Sequence, residues 1–171
     1  MHAWCLFCET QRCAAIAALI EKTMGIRCIN PRVIQRKWVK GKALEVSHPW
    51  LPGYLFLYTE NALFSRPDID GIIRLLGEGE LTGQDRAFAE MLYQRDGVLG
   101  TIRLAEEGDR CRINDPLWES MEGRIRKIDR GRKRALVSFE FDSVLRSVWM
   151  GYEIIENWYS ADCTDAKAND M

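Results

Sequence analysis

The chain has 171 residues, a formal net charge of −1 and an apolar fraction of 47%. That is enough for one domain, or two small ones, with a true core, and it excludes bulk charge as the means of holding a polyanion. No apolar run reaches the ~18 residues that span a bilayer. The start lacks a basic leader and is interrupted by Glu9 and Arg12, so the expectation is a cytoplasmic protein, without a membrane partner, whose six cysteines are thiols.

Residues 3–8 are an apolar run that predicts a buried strand. Thr10 can cap a helix starting near Gln11, in which Ala14, Ile16, Ala17, Leu19, Ile20 and Met24 recur at helical spacing until Gly25 stops it. Arg27 to Val39, the turn Lys40-Gly41-Lys42 and a return through Val46 read as a hairpin. It is a basic one, because residues 27–42 hold six cations and no acid. Pro49, Pro52 and Gly53 punctuate the chain before a buried strand at Tyr54–Tyr58. A short helix at 61–67, a strand from Ile69 to Leu76 and a helix from Gln84 to Arg95 follow.

The character changes at 96–108, where Gly97, Gly100 and Gly108 bracket a polar connector. Beyond it the expectation is short strands only, at 110–114, 123–129, 134–140, 144–150 and 152–155, the pattern of a small barrel. Residues 159–171 have the composition of a disordered acidic tail. Seven cations fall within residues 124–134 against one acid, Asp129, which points to a polyanionic backbone as ligand. Strand alternation sends Arg124, Arg126 and Ile128 one way and Ile125 and Lys127 the other, so all seven cannot share a face.

Three stretches, in order, resemble the NusG family of transcription elongation factors. They are the aromatic strand from Trp4 to Thr10; Leu51-Pro-Gly-Tyr-Leu-Phe-Leu57, similar to that family's PGY-type strand; and Gly108 to Ile113 with Glu122-Gly123-Arg-Ile125, similar to a KOW motif. The resemblance covers about residues 3–157. It implies an α+β fold with an NGN domain at 1–98, an antiparallel sheet with helices flanking one face. A linker at 99–107 and a five-stranded KOW barrel at 108–158 would follow, with the tail from 159. The opening Leu6 to Thr10 and the run Asp115 to Ala135 are most similar to LoaP-type paralogues, which act as operon-specific antiterminators and engage a leader RNA hairpin. The alternatives are a housekeeping member, whose KOW domain binds a ribosomal protein or termination factor, and a ribosome-associated KOW protein.

The resemblance also implies roles. Trp4, Leu51, Tyr54 and Phe56 would form an exposed patch on the clamp of RNA polymerase; the plain alternative is that all four are core. Arg36, Lys37, Lys40 and Lys42 would lie near upstream or non-template DNA through phosphate contacts, or only blunt a solvated edge. Trp118, Arg124, Arg126, Lys127, Arg130, Arg132, Lys133 and Arg134 would meet nascent RNA, with Trp118 placed to stack on a base. The alternatives there are a solvated barrel edge, or a protein partner met by Trp118 and the Phe139–Phe141 pair. Cys5 and Cys8, at i and i+3 of a strand, point to opposite faces and cannot ligate one ion. His2 and His48 are the only histidines, and no catalytic arrangement accompanies them. The expectation is a monomeric binding protein, not an enzyme, without cofactor or metal.

Overall fold

A computed structural model describes residues 1–77, 79–107, 110–119 and 123–155. The tail expected at 159–171 lies outside them. The fold is mixed α+β. Strand β1 (His2–Cys8) is buried almost throughout, and a 3₁₀ turn (Thr10–Arg12) leads into helix α1 (Cys13–Met24). The helix starts later than expected, and Thr10 makes no capping bond. Its end is where the sequence puts it: Gly25 takes left-handed backbone (φ 65°) and donates its N–H to the Glu21 carbonyl.

Asn30 and Pro31 break the expected long strand into β2 (Arg27–Ile29) and β3 (Arg32–Val39), and β4 (Lys42–Pro49) returns alongside β3. Strand β5 (Tyr54–Thr59) follows. The expected helix at 61–67 is absent. The Asn61 side chain accepts the Leu63 N–H (3.0 Å), a local bond that competes with a helical turn, and Phe64 folds back on Trp4 (5.4 Å between ring centroids). Strand β6 (Ile72–Leu75) is shorter than expected; helix α2 (Gly83–Gln94) is where its periodicity puts it.

The front sheet has the order β2-β5-β1-β6. Alternation sorts its side chains. Trp4, Leu6, Cys8, Leu55 and Leu57 pack with Ile16 and Ile20 of α1, whereas Ala3, Cys5, Tyr54, Phe56 and Tyr58 pack on the side of Phe88, Met91 and Leu92 of α2. Helices therefore lie against both faces, not one.

The remaining elements are β7 (Val98–Leu99), β8 (Ile102–Glu107), β9 (Arg110–Ile113), helix α3 (Pro116–Glu119), β10 (Arg124–Asp129), β11 (Arg134–Phe141) and β12 (Val144–Ile155). Most of the expected linker at 99–107 is strand. Ile102, Leu104 and Ala105 are buried, and β8 runs parallel to β12, with Ile102 opposite Tyr152 and Ala105 opposite Ile155. The two strands expected at 144–150 and 152–155 are one. The rear sheet has five strands in the order β10-β11-β12-β8-β9, and its edges β9 and β10 come together.

The two halves share a core. Phe88 of α2 stacks on Phe139 (5.0 Å) and meets Phe141 (5.2 Å), and Phe141 also meets Phe56 (5.3 Å). Each such ring stabilises the fold by roughly 1.5–3 kcal/mol through removal from water. No helix among the described residues is long and apolar enough to cross a membrane.

Candidate nucleic-acid interface

The expected polymerase patch is not on the surface. Trp4 and Leu51 are each 4% exposed, Tyr54 is 8% exposed and Phe56 is sealed. Nor do the four share a face: Trp4 lies on the α1 side, while Tyr54 and Phe56 lie on the other, beneath Phe141. The Pro-Gly turn before Tyr54 has a packing reason instead. Gly53 has φ 91°, and a Cβ there would sit 2.8 Å from the Phe7 ring and 3.0 Å from the Cys8 carbonyl.

The basic hairpin β3–β4 turns on Lys40 (φ 49°) and Gly41 (φ 77°), a two-residue turn with both residues in left-handed backbone. Lys37, Lys40 and Lys42 are exposed, as are Val39 and Leu44. The side chain of Arg36 lies outside the described ones.

Trp118 is fully buried, not free to stack on a base. It sits in α3 with its ring 5.6 Å from that of Phe139. Phe139 and Phe141 are core as well, so that pair is not an exposed protein-binding site. Gly123 is forced by Trp118: a Cβ there would lie 3.1 Å from the Trp118 carbonyl oxygen and 3.2 Å from its ring. Asp115, just before α3, is 2% exposed and accepts from Arg95 at the end of α2 (2.7 Å), a second tie between the halves.

The cations of β10 share a face after all. A bulge between Ile125 and Lys127 resets the alternation: Ile125 pairs with Val137, yet Lys127, not Arg126, pairs with Leu136. Ile125 and Ile128 pack against the core, and Arg124, Arg126 and Lys127 are all exposed. Arg126 donates its Nε–H to Ser138 Oγ (2.7 Å) on β11. Next on this outer face, opposite Leu136, comes Trp149 of β12. The Arg134 guanidinium lies over its ring, 4.5 Å from the centroid. Trp149 was not singled out from the sequence, because its face depends on the β11–β12 register.

At the turn, Asp129 organises the chain. Its Oδ1 accepts the Arg132 N–H (3.1 Å) and its Oδ2 accepts from Arg134 Nε (3.1 Å). The Arg132 N–H bond, followed by the Arg134 side-chain bond, holds its carboxyl below the usual aspartate range. Arg130 pairs with Glu106 (2.7 Å). The Arg130–Glu106 pair is solvent-facing and so readily exchanged for phosphate. The side chains of Arg124, Lys127 and Lys133 have no charged partner among the described residues.

No protein-family model matches the chain, and no curated protein matches it.

Arg124, Arg126 and Lys127 can therefore offer phosphate contacts beside Arg134 and the Trp149 ring. Glu140, exposed at the far end of β11, is the one carboxylate on that strand. No group of three or more His, Cys, Asp or Glu side chains among the described residues could hold a metal. Cys5 lies on the α2 side of the front sheet, and Cys8, Cys13 and Cys28 lie on the α1 side, all as buried free thiols. Burial pushes the thiols of Cys8 and Cys28 up to about 12.

Proposed function

We propose that this chain is a NusG-type transcription elongation factor, with an NGN-like front half and a KOW-like barrel at the rear, acting as a processive antiterminator in the cytoplasm. The rear half binds nascent RNA and the front half binds RNA polymerase. The action is binding, not catalysis: holding the advancing state of the polymerase more tightly than the paused one needs only a differential affinity of about 1–3 kcal/mol. Two weak contacts on one chain then reinforce each other.

The observation that carries the reading is the outward strip on β10–β12, where the bulge brings Arg124, Arg126 and Lys127 alongside Arg134 and Trp149. Arginine suits phosphate because its planar fork grips two oxygens. The test is RNA binding by the intact chain across a salt series. Affinity is expected to fall steeply with salt, and Arg124→Ala and Lys127→Ala are each expected to reduce the slope by about one phosphate contact. Salt-independent binding, or none, would remove the rear half from RNA.

The polymerase part carries a structural condition. The Tyr54 ring lies against Phe141 (5.6 Å), and its hydroxyl donates to Asp142 (3.3 Å). Tyr54 can meet a partner only when that turn lifts away. In a pull-down with core polymerase, Tyr54→Ala is expected to retain less; equal retention by a folded variant would remove Tyr54 as a docking residue.

A further inference from the structure

We propose that Asp129, Arg134 and Trp149 form a seat for one unpaired nucleobase, so that the rear half takes single-stranded or looped nucleic acid in preference to a continuous duplex. The proposal rests on the RNA-binding reading above and makes it more specific.

Arg134 is held on two sides. Its Nε donates to Asp129 Oδ2 (3.1 Å), and its guanidinium carbon lies 4.5 Å from the centroid of the Trp149 ring. The register explains the encounter. Leu136 faces Trp149 and Arg134 faces Gly151, so no side chain directly opposite competes with Arg134 for the neighbouring indole. The two terminal nitrogens of Arg134 have no partner among the described residues, and the side chain is 35% exposed. The result is a planar guanidinium held by the Asp129 carboxylate and the Trp149 ring and still partly exposed.

Two features select a base over a phosphate at this spot. The Asp129 carboxylate, which holds Arg134, cancels its charge locally and repels a phosphate, whereas stacking on a guanidinium plane needs no net charge. A π-face also adds little to a duplex, whose bases are stacked on one another and meet the protein through sugar and phosphate. Around the seat, Lys127 on β10 and Lys133 at the turn are exposed and have no charged partner among the described residues, as flanking phosphates require.

The experiment is fluorescence anisotropy of the intact chain with three RNAs of matched length: a single-stranded oligoadenylate, a hairpin with the same adenines in its loop, and a blunt duplex. The first two are expected to bind more tightly. Trp149→Leu and Arg134→Lys are each expected to lose roughly tenfold on those two, with little change on the duplex, and Trp149→Phe to recover most of the loss. Thermal melting establishes that each variant is folded. Equal losses on all three RNAs, or none, would overturn the base seat while leaving RNA binding in place. Failure of the wild type to bind any of the three would instead sink the broader reading, and the seat with it.

Discussion

The guanidinium of Arg146 donates to the hydroxyl of Tyr54 (3.0 Å), joining β12 to the first strand after the Pro-Gly turn across 92 positions. The same hydroxyl donates to Asp142 (3.3 Å), and Arg74 of the front sheet reaches that carboxylate too (3.3 Å). Beneath this polar rim lie Phe56, Phe88 and Phe141. The halves are thus expected to unfold together. In urea, Phe141→Ala should cost about 3–5 kcal/mol, the range for a sealed phenylalanine. Tyr54→Phe should cost about 1–3 kcal/mol, because it strips a partner from two charged groups. Two separate transitions in the wild type would show that the shared core is not cooperative.

Asp85, in the first turn of α2, accepts the Asp142 N–H (3.0 Å). Burial raises its pKa, the charges of Asp142 and Glu140 raise it further, and the Asp142 N–H opposes them. The sign follows. A carboxyl whose folded value is raised binds more protons folded than unfolded, so its contribution is full below the ordinary aspartate value and is lost as pH rises through the raised one. Asp85→Asn keeps an oxygen to accept the Asp142 N–H and removes the titration. Across that window the stability of Asp85→Asn relative to wild type should rise with pH in parallel urea melts. A constant difference would show that Asp85 is not strained there.

Thiol reactivity should divide the described cysteines. Cys5, Cys8, Cys13 and Cys28 are buried, and burial raises each of them. Cys111 on β9 is partly exposed. Since the thiolate is the reactive form, brief alkylation of the folded protein followed by peptide mass spectrometry should label Cys111 and spare the other four. Fast labelling at Cys8 or Cys28 would place α1 away from the front sheet.

Among the described residues, Arg95 and Asp115 make the deepest ion pair between the halves, with Asp115 almost wholly enclosed. Arg95→Ala would remove one charged partner of a buried carboxylate, at an expected cost of about 1–3 kcal/mol. Gly123→Ala should cost about 1–3 kcal/mol by pressing on the Trp118 carbonyl and ring. Denaturant midpoints within error of wild type would contradict the packing around α3.

What was legible in the sequence was local. The apolar run of β1, the helical spacing ended by Gly25, the turn at Lys40-Gly41 and the periodicity of α2 each carry their own signal. What was missed is set by residues far apart. Strand β8 looked like a connector between glycines because its parallel partner begins at Tyr152. Trp118 looked exposed because a four-residue helix has no periodicity to read. The cationic face was legible in composition but not in geometry, since the bulge at β10 cannot be seen in alternation. Alternation alone puts Tyr54 and Phe56 on a common side of their strand; that Phe141 covers them is not written in that stretch of chain.

The parallel pairing of β8 with β12 imposes an order of events on a growing chain. Every strand of the front sheet, and β7 beside β3, is present in the chain once Leu99 has been synthesised. β8 comes next, and its neighbour β12 is not complete until residue 155. A ribosome therefore carries β8 paired only with β9, while its other edge, which carries the apolar Ile102 and Leu104, waits some fifty residues for β12. The side of Phe88 that meets Phe139 and Phe141 is uncovered until β11 is made, so nascent chains stalled before β11 and β12 should be the aggregation-prone species of this protein.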